Sequence, residues 1–289
     1  MELIARYQQG AVGKVTNWLL GGIVVLGSVI AFFTYNTETD IDNHTNYVLA
    51  VSGQQPAPLY EPAEITSLPA PVQRYFRYTF NGTPKPYAAV EMTMEGDFRR
   101  PQNEGFAFTT AEQTAAINRP AFVFSATTPI IPGVWARAYD AFYDGQMEMK
   151  AKILSTLTVV DERETPVLNQ ISLRRWLLEA PLYPASLLPG GPVTWEAIDQ
   201  YRARATVSHG GMEASMVATF REDGSLESFA AEEDGDLNTP YHGSGEHVLR
   251  EDYRLVNGMM IPHRFVISRM AANKIYPFWK GGIVEISFR

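Results

Sequence analysis

Between Lys14 and Glu38 the chain runs for 23 residues without a charge, and its centre, Trp18 to Phe33, is almost wholly apolar. A helix of that length rises about 30 Å, which matches the hydrocarbon thickness of a bilayer. Trp18 stands at one end and Phe32, Phe33 and Tyr35 at the other, where amphipathic rings favour the headgroup region. The pattern predicts one transmembrane helix over residues 17–35, preceded by a tail of residues 1–16. Arg6 and Lys14 lie before the segment, and Glu38, Asp40 and Asp42 follow it. The excess of basic residues on the N-terminal side predicts a cytoplasmic N-terminus and a periplasmic or otherwise extracytoplasmic main domain. A cleaved signal peptide is the alternative, for which Val29-Ile30-Ala31 before Phe32 is a poor cleavage site.

Within the helix, Asn17, Gly21, Ser28 and Ala31 fall close to one line. Small residues let helix backbones approach closely, so this line is a candidate packing interface for other membrane-protein subunits. The chain has no cysteine, which removes disulfides, thiolate metal sites, cysteine nucleophiles and thioether lipid attachment. Its net charge of −8 opposes the basic footprint that a phosphate backbone requires, so nucleic acid is not an expected partner.

Residues 36–67 contain Asp40, Asp42, the Gln54–Pro58 run and Tyr60-Glu61-Pro62, and read as a partly extended linker. The β-rich domain is expected over residues 68–289. It opens with a short helix in which Pro71 sits at the start and Val72, Tyr75 and Phe76 share a face. From Tyr87 the period falls to two: Val90, Met92, Met94 and Phe98 alternate with Glu91, Thr93, Glu95 and Asp97. Met147, Met149, Ala151 and Ile153 alternate in the same way after the hairpin signal Asp144-Gly145. His209-Gly210-Gly211, Asp223-Gly224 and Asn257-Gly258 mark three further hairpins. One helix interrupts them, with Thr165 as cap, Pro166 at its first position, Leu168, Ile171, Trp176 and Leu177 along it, and Pro181 as its stop. Half-polar strands joined by hairpins argue against a doubly wound parallel sheet. The expected fold is mainly β: a curved antiparallel meander, half-barrel or barrel, with a covering helix and one N-terminal transmembrane helix.

Several short motifs occur in order. They are Leu68 to Tyr78, Leu178-Glu179-Ala180 through Tyr183-Pro184-Ala185 and Leu187-Leu188-Pro189, Trp195-Glu196-Ala197-Ile198-Asp199, and Gly258-Met259-Met260-Ile261-Pro262. Together they resemble a family of uncharacterised bacterial proteins, a domain of unknown function, over roughly residues 65–289. The resemblance implies a bacterial source and a single domain. No activity and no functional residue comes with it.

Local motifs supply little chemistry. Of His44, His209, His242, His247 and His263, only His242 and His247 are close enough to suggest a metal pair, and their spacing of five is not a ligand pattern. Ser244 lacks the glycines two residues to either side that a nucleophile elbow needs. Glu232, Glu233, Asp234 and Asp236 read as a solvated loop. Arg137 between Trp135 and Tyr139, and Arg202 and Arg204 beside Tyr201, suit either an interface or a snorkelling surface. No catalytic, cofactor or metal site is assigned. Met92, Met94, Met147 and Met149 would share the inward faces of two strands, as core packing or as a candidate face for an apolar ligand.

Two functions follow as expectations. The first is a non-catalytic accessory or structural subunit, anchored in membrane lipid and bound to a larger membrane protein complex. The second is a lipid- or apolar-ligand-binding protein whose half-barrel cavity is covered by the helix, an arrangement that resembles lipoprotein-carrier architecture.

Overall fold

The structure is a computed structural model that describes residues 2–55, 58–83, 85–99, 105–235, 237 and 245–289; side chains are described from Asn17 onward, Leu19 excepted. Thirteen strands form one antiparallel sheet: β1 (Ala89–Phe98), β2 (Ala107–Ala116), β3 (Phe122–Ile131), β4 (Val134–Tyr143), β5 (Gln146–Ile153), β6 (Leu157–Arg163), β7 (Val193–Ala197), β8 (Arg202–His209), β9 (Met212–Phe220), β10 (Leu226–Ala230), β11 (His247–Val256), β12 (Met259–Ala271) and β13 (Lys274–Phe288). Their order is β6-β5-β4-β3-β2-β1-β13-β12-β11-β10-β9-β8-β7. The chain therefore lays down one meander outward from the centre and a second inward from the far edge, and the two meet where β1 pairs with β13. The edge strands β6 and β7 do not pair, so the sheet is open. It curves strongly enough to bring Met212 of β9 against Gly145 in the β4–β5 turn, although the two strands are far apart in the sheet order.

Turn chemistry sets these hairpins. Asp144 and Gly145, and Asn257 and Gly258, all hold positive φ, as two-residue hairpins with a right-handed strand twist require. Gly224 combines a φ of +93° with close approach to the Arg74 carbonyl, so a Cβ there meets both backbone strain and a clash. Arg74 belongs to a helix over Ala70–Thr79, which carries the buried Val72, Tyr75 and Phe76 that its spacing predicts.

Among the described residues, four α-helices accompany the sheet, α1 (Glu2–Ser52), α2 (Pro62–Ile65), α3 (Ala70–Thr79) and α4 (Pro166–Glu179), and two short 3-10 helices, Ala180–Leu182 and Pro184–Leu187, follow α4. At the start of α4 the Thr165 side chain accepts from Leu168 N, and Pro166 opens the first turn. The helix crosses the concave side and fastens both halves of the sheet. Asn169 Oδ1 accepts from Met147 N on β5 at 3.0 Å, Trp176 Nε1 donates to Ala116 O on β2 at 3.0 Å, and Gln170 Nε2 donates to Glu213 O on β9 at 3.0 Å.

Helix α1 contains, within Leu20–Ser52, a stretch long and apolar enough to cross a membrane. It does not end at Tyr35. Residues 36–52, which the sequence reads as part of an extended linker, continue the same helix and lie on the convex face of the sheet. There Val48 and Val51 pack with Ala116, Ala121, Val123 and Ala141. Arg137 grips Glu38 through two bonds of 2.9 and 2.7 Å, Lys152 Nζ reaches Thr37 Oγ1 at 3.0 Å, and Tyr47 hydrogen-bonds Asp144. The arginine placed among aromatics in the sequence thus binds α1.

Candidate functional site

In β1 to β5, alternate side chains face the concave side, and the register sets them in rows across the strands. One row reads Phe122, Phe142 and Met147, and the next reads Phe124, Asp140 and Met149. These larger side chains lie under α4. A third row reads Met94, Ala111, Ala126, Ala138 and Ala151. Four neighbouring strands therefore present only a methyl group at the same level, and the sheet surface is recessed there.

Above this floor is a cavity of about 70 Å³, walled by Met94, Phe124, Met149, Leu182, Phe265 and Trp279. Beyond α4 it continues into a groove of about 700 Å³, with which it shares Phe98, Thr128, Ala138 and Met149. The outer groove is lined largely by apolar side chains, among them Ile130, Ile153 and Val159 at the ends of β3, β5 and near the start of β6.

The inner wall is charged. Arg175 of α4 donates to Asp140 Oδ2 at 2.5 Å and to Glu179 Oε1 at 3.1 Å, while Gln113 donates to Glu179 Oε2 at 2.5 Å. The Arg175 guanidinium carbon lies 4.8 and 4.6 Å from the ring centroids of Phe122 and Phe124, a pair of cation–π contacts away from water. Arg250 of β11 is also buried and donates to Leu178 O at 2.9 Å. Two arginines thus face two carboxylates across the end of an apolar channel. Two polar atoms of this group, Asp140 Oδ1 and Arg250 Nε, have no hydrogen-bond partner. Burial pushes the Asp140 carboxyl up to about 6, against the opposing pull of Arg175. Such a channel can take an apolar chain along its alanine floor, and its inner end can meet a polar tip.

The residues singled out in the sequence are distributed as follows. Met92, Met94, Met147 and Met149 are all buried in one core, and Met94 and Met149 also line the cavity. Asn17, Gly21, Ser28 and Ala31 are exposed on α1, with open space around Gly21 and Ser28 Oγ turned onto its own helix at Val24 O. At about 100° per residue, this line lies on the side of α1 roughly opposite the stripe of Thr37, Ile41 and Val48 that faces the sheet. His44 Nδ1 is 3.0 Å from Tyr143 Oη, and burial lowers its pKa. Arg204 binds Glu232 and Glu196 at the surface, Arg202 binds Asp199, and Asp234 accepts from Asn273 N. His242, Ser244 and Asp236 lie outside the described residues.

Sequence reading missed Asp140, Arg175, Glu179 and Arg250. It also missed Glu246, a buried carboxylate that holds Arg174 at 2.8 Å, and Arg269 and Met270 N at 2.9 Å each. No local motif joins these groups. The alanine row carried a signal that could have been read, since Ala107, Ala111 and Ala115, and Ala136 and Ala138, recur at strand period.

None of the curated proteins compared matches the chain. Among solved structures, the chain is similar to a DUF1329 family protein from Desulfovibrio piger at 8% identity, with a TM-score of 0.41, over 79% of this chain and 94% of that one. Residues 66–288 match DUF6920, a family of unknown function, and the chain belongs to that family.

Proposed function

We propose that the protein is a membrane-anchored binder of lipid acyl chains or similar apolar chains, held in the groove on the concave face of β1 to β6 beyond α4. The observation that carries this reading is the alanine row across β2 to β5. It leaves an apolar channel beside a packed core, where larger side chains would have closed it. The methionines at its inner end add flexible, polarizable walls that adapt to differing chains. In this reading α1 spans the membrane, with its N-terminus in the cytoplasm and the sheet on the extracytoplasmic side.

The test is titration of the full chain in mild detergent with a fluorescent fatty acid. Ala138→Phe fills the groove from a half-exposed position. It is expected to weaken binding by about tenfold or more with little change in melting temperature. Unchanged binding in a folded Ala138→Phe protein sinks the reading.

A second reading, a subunit of a larger membrane assembly, is favoured by one feature. The small-residue line of α1 points away from the sheet and leaves that side of the helix free for another membrane helix.

A further inference from the structure

The face of α1 that meets the sheet does not begin where the apolar segment ends. Thr37, Ile41 and Val48 are buried on one stripe, and the same stripe continues back through Thr34 to Ile30, both half-covered among exposed neighbours. That stripe puts the last turn or more of the apolar segment, roughly 8 Å of helix from Ile30 to Tyr35, on the side of α1 that faces the sheet. Strand geometry agrees. Arg137 holds Glu38, and from Arg137 the strand runs about 10 Å further to Val134 at the β3–β4 tip. That is the rise of about seven helical residues, from Glu38 back to Ala31.

The strand ends at this level are apolar and exposed. Phe108 on β2, Ile130 and Ile131 on β3, Leu157 on β6 and Ile275 on β13 each expose more than half of their surface, with Ile131 at 60% and Leu157 at 63%. These ends gather on the side of the sheet from which α1 departs. In water they form an unfavourable fringe of the kind that marks a contact surface. The tie to α1 decides which contact, because the helix is continuous and the Glu38–Arg137 and Thr37–Lys152 contacts hold the sheet to it.

We infer that this rim is a membrane-inserting surface: the exposed strand ends Phe108, Ile130, Ile131 and Leu157 sit in the headgroup and upper acyl layer of the bilayer that α1 crosses. The inference rests on α1 being a membrane span and does not need the groove to be occupied. It gives the groove a source of ligand, since Ile130 lines both the rim and the groove and Val159 stands beside Leu157 at its mouth. A chain can then pass sideways from the bilayer into the groove without crossing water.

The cysteine-free sequence allows single nitroxide labels to be placed cleanly. Ile131→Cys, Leu157→Cys, Val25→Cys and Leu255→Cys are labelled in the full chain. Each is reconstituted into vesicles of phosphatidylethanolamine and phosphatidylglycerol. Leu255, exposed near the end of β11 at the opposite end of the strands, is the water-facing reference. Collisions with oxygen and with a water-soluble nickel chelate report depth. Labels at 131 and 157 are expected to lose nickel collisions several-fold relative to 255 and to gain oxygen collisions, as the label at 25 does. If 25 is shielded while 131 and 157 match 255, the rim stands in water and the inference fails with the anchor intact. If 25 is also open to nickel, the anchor fails and takes the inference with it. Fatty-acid binding to the groove is measured separately in detergent, so neither outcome is confused with an empty groove.

Discussion

Asp140 is the residue whose surroundings depart furthest from what its sequence neighbours suggest. It sits in a run of Ala138, Tyr139, Ala141 and Phe142, fully enclosed, with one oxygen on Arg175 and the other without a partner. Its folded pKa of about 6 lies above the ordinary value of 3.8. Between those values the native state holds a proton that the unfolded chain has released, so acidification through that window favours the native state at this group. The melting temperature of the parent protein relative to Asp140→Asn is expected to rise between about pH 7 and about pH 5. A pH-independent difference between the two melts would mean that Asp140 stays charged. Strand register is tested one face at a time. Met94 is 5% exposed and Glu95 points outward, so Met94→Asp should cost about 3 kcal/mol or more, whereas Glu95→Ala should change little. Similar melting of both variants contradicts the register. The alternation that places Met94 inward is legible in ten consecutive letters. The pairing of Asp140 with Arg175 is not, because the partners are 35 residues apart on a strand and a helix that only the finished fold brings together.

Among the elements, α4 was readable in full because its signals are local: a threonine cap, a proline in the first turn and a proline stop. The second half of α1 was not. Thr37, Ile41, Val48 and Val51 do carry a helical spacing, but Asp40, Asp42 and Asn43 between them have low helix propensity and look like loop chemistry. Packing of the stripe on β2 to β4, with the Arg137–Glu38 pair, outweighs that preference. The same helix offers a test of the small-residue line. Gly21→Leu or Ser28→Leu adds bulk where a neighbouring helix would need close approach, and it keeps the segment apolar enough to insert. Gly22→Leu makes the same chemical change about 100° around the helix. Co-purification of membrane proteins with the full chain is expected to fall for the first two variants and to hold for the third, at equal amounts in the membrane fraction. Equal recovery of all three leaves α1 as an anchor without a partner on that face.

For the whole molecule, the hairpin turns make two antiparallel meanders legible, yet nothing local announces that β1 pairs with β13. That pairing joins Val90 to Phe288 across almost the full length of the domain, and it turns two meanders into one sheet with a single curved core. The convex side needs its own cover, and α1 supplies it. Val48 and Val51 close over Ala116, Ala121, Val123 and Ala141, and Asn118 Nδ2 donates to Ser52 O at 2.8 Å. The helix thus carries a stretch long and apolar enough to cross a membrane and, beyond it, a layer of the fold, and two truncations separate these parts. Removing residues 2–35 leaves the convex cover in place, and the remaining chain should melt as the full protein does. Removing residues 2–55 uncovers the small apolar patch, leaves Arg137 without Glu38 and strips Asn118 of its acceptor. Losing burial of two valines alone costs about 3–6 kcal/mol as an upper bound. For a domain above 200 residues, that upper bound corresponds to a fall in melting temperature of roughly 6–24 °C. Both truncated chains are compared by thermal denaturation at equal concentration in the same mild detergent. If the two melt together, residues 36–52 are a tether laid against the sheet, and the convex face is stable without them.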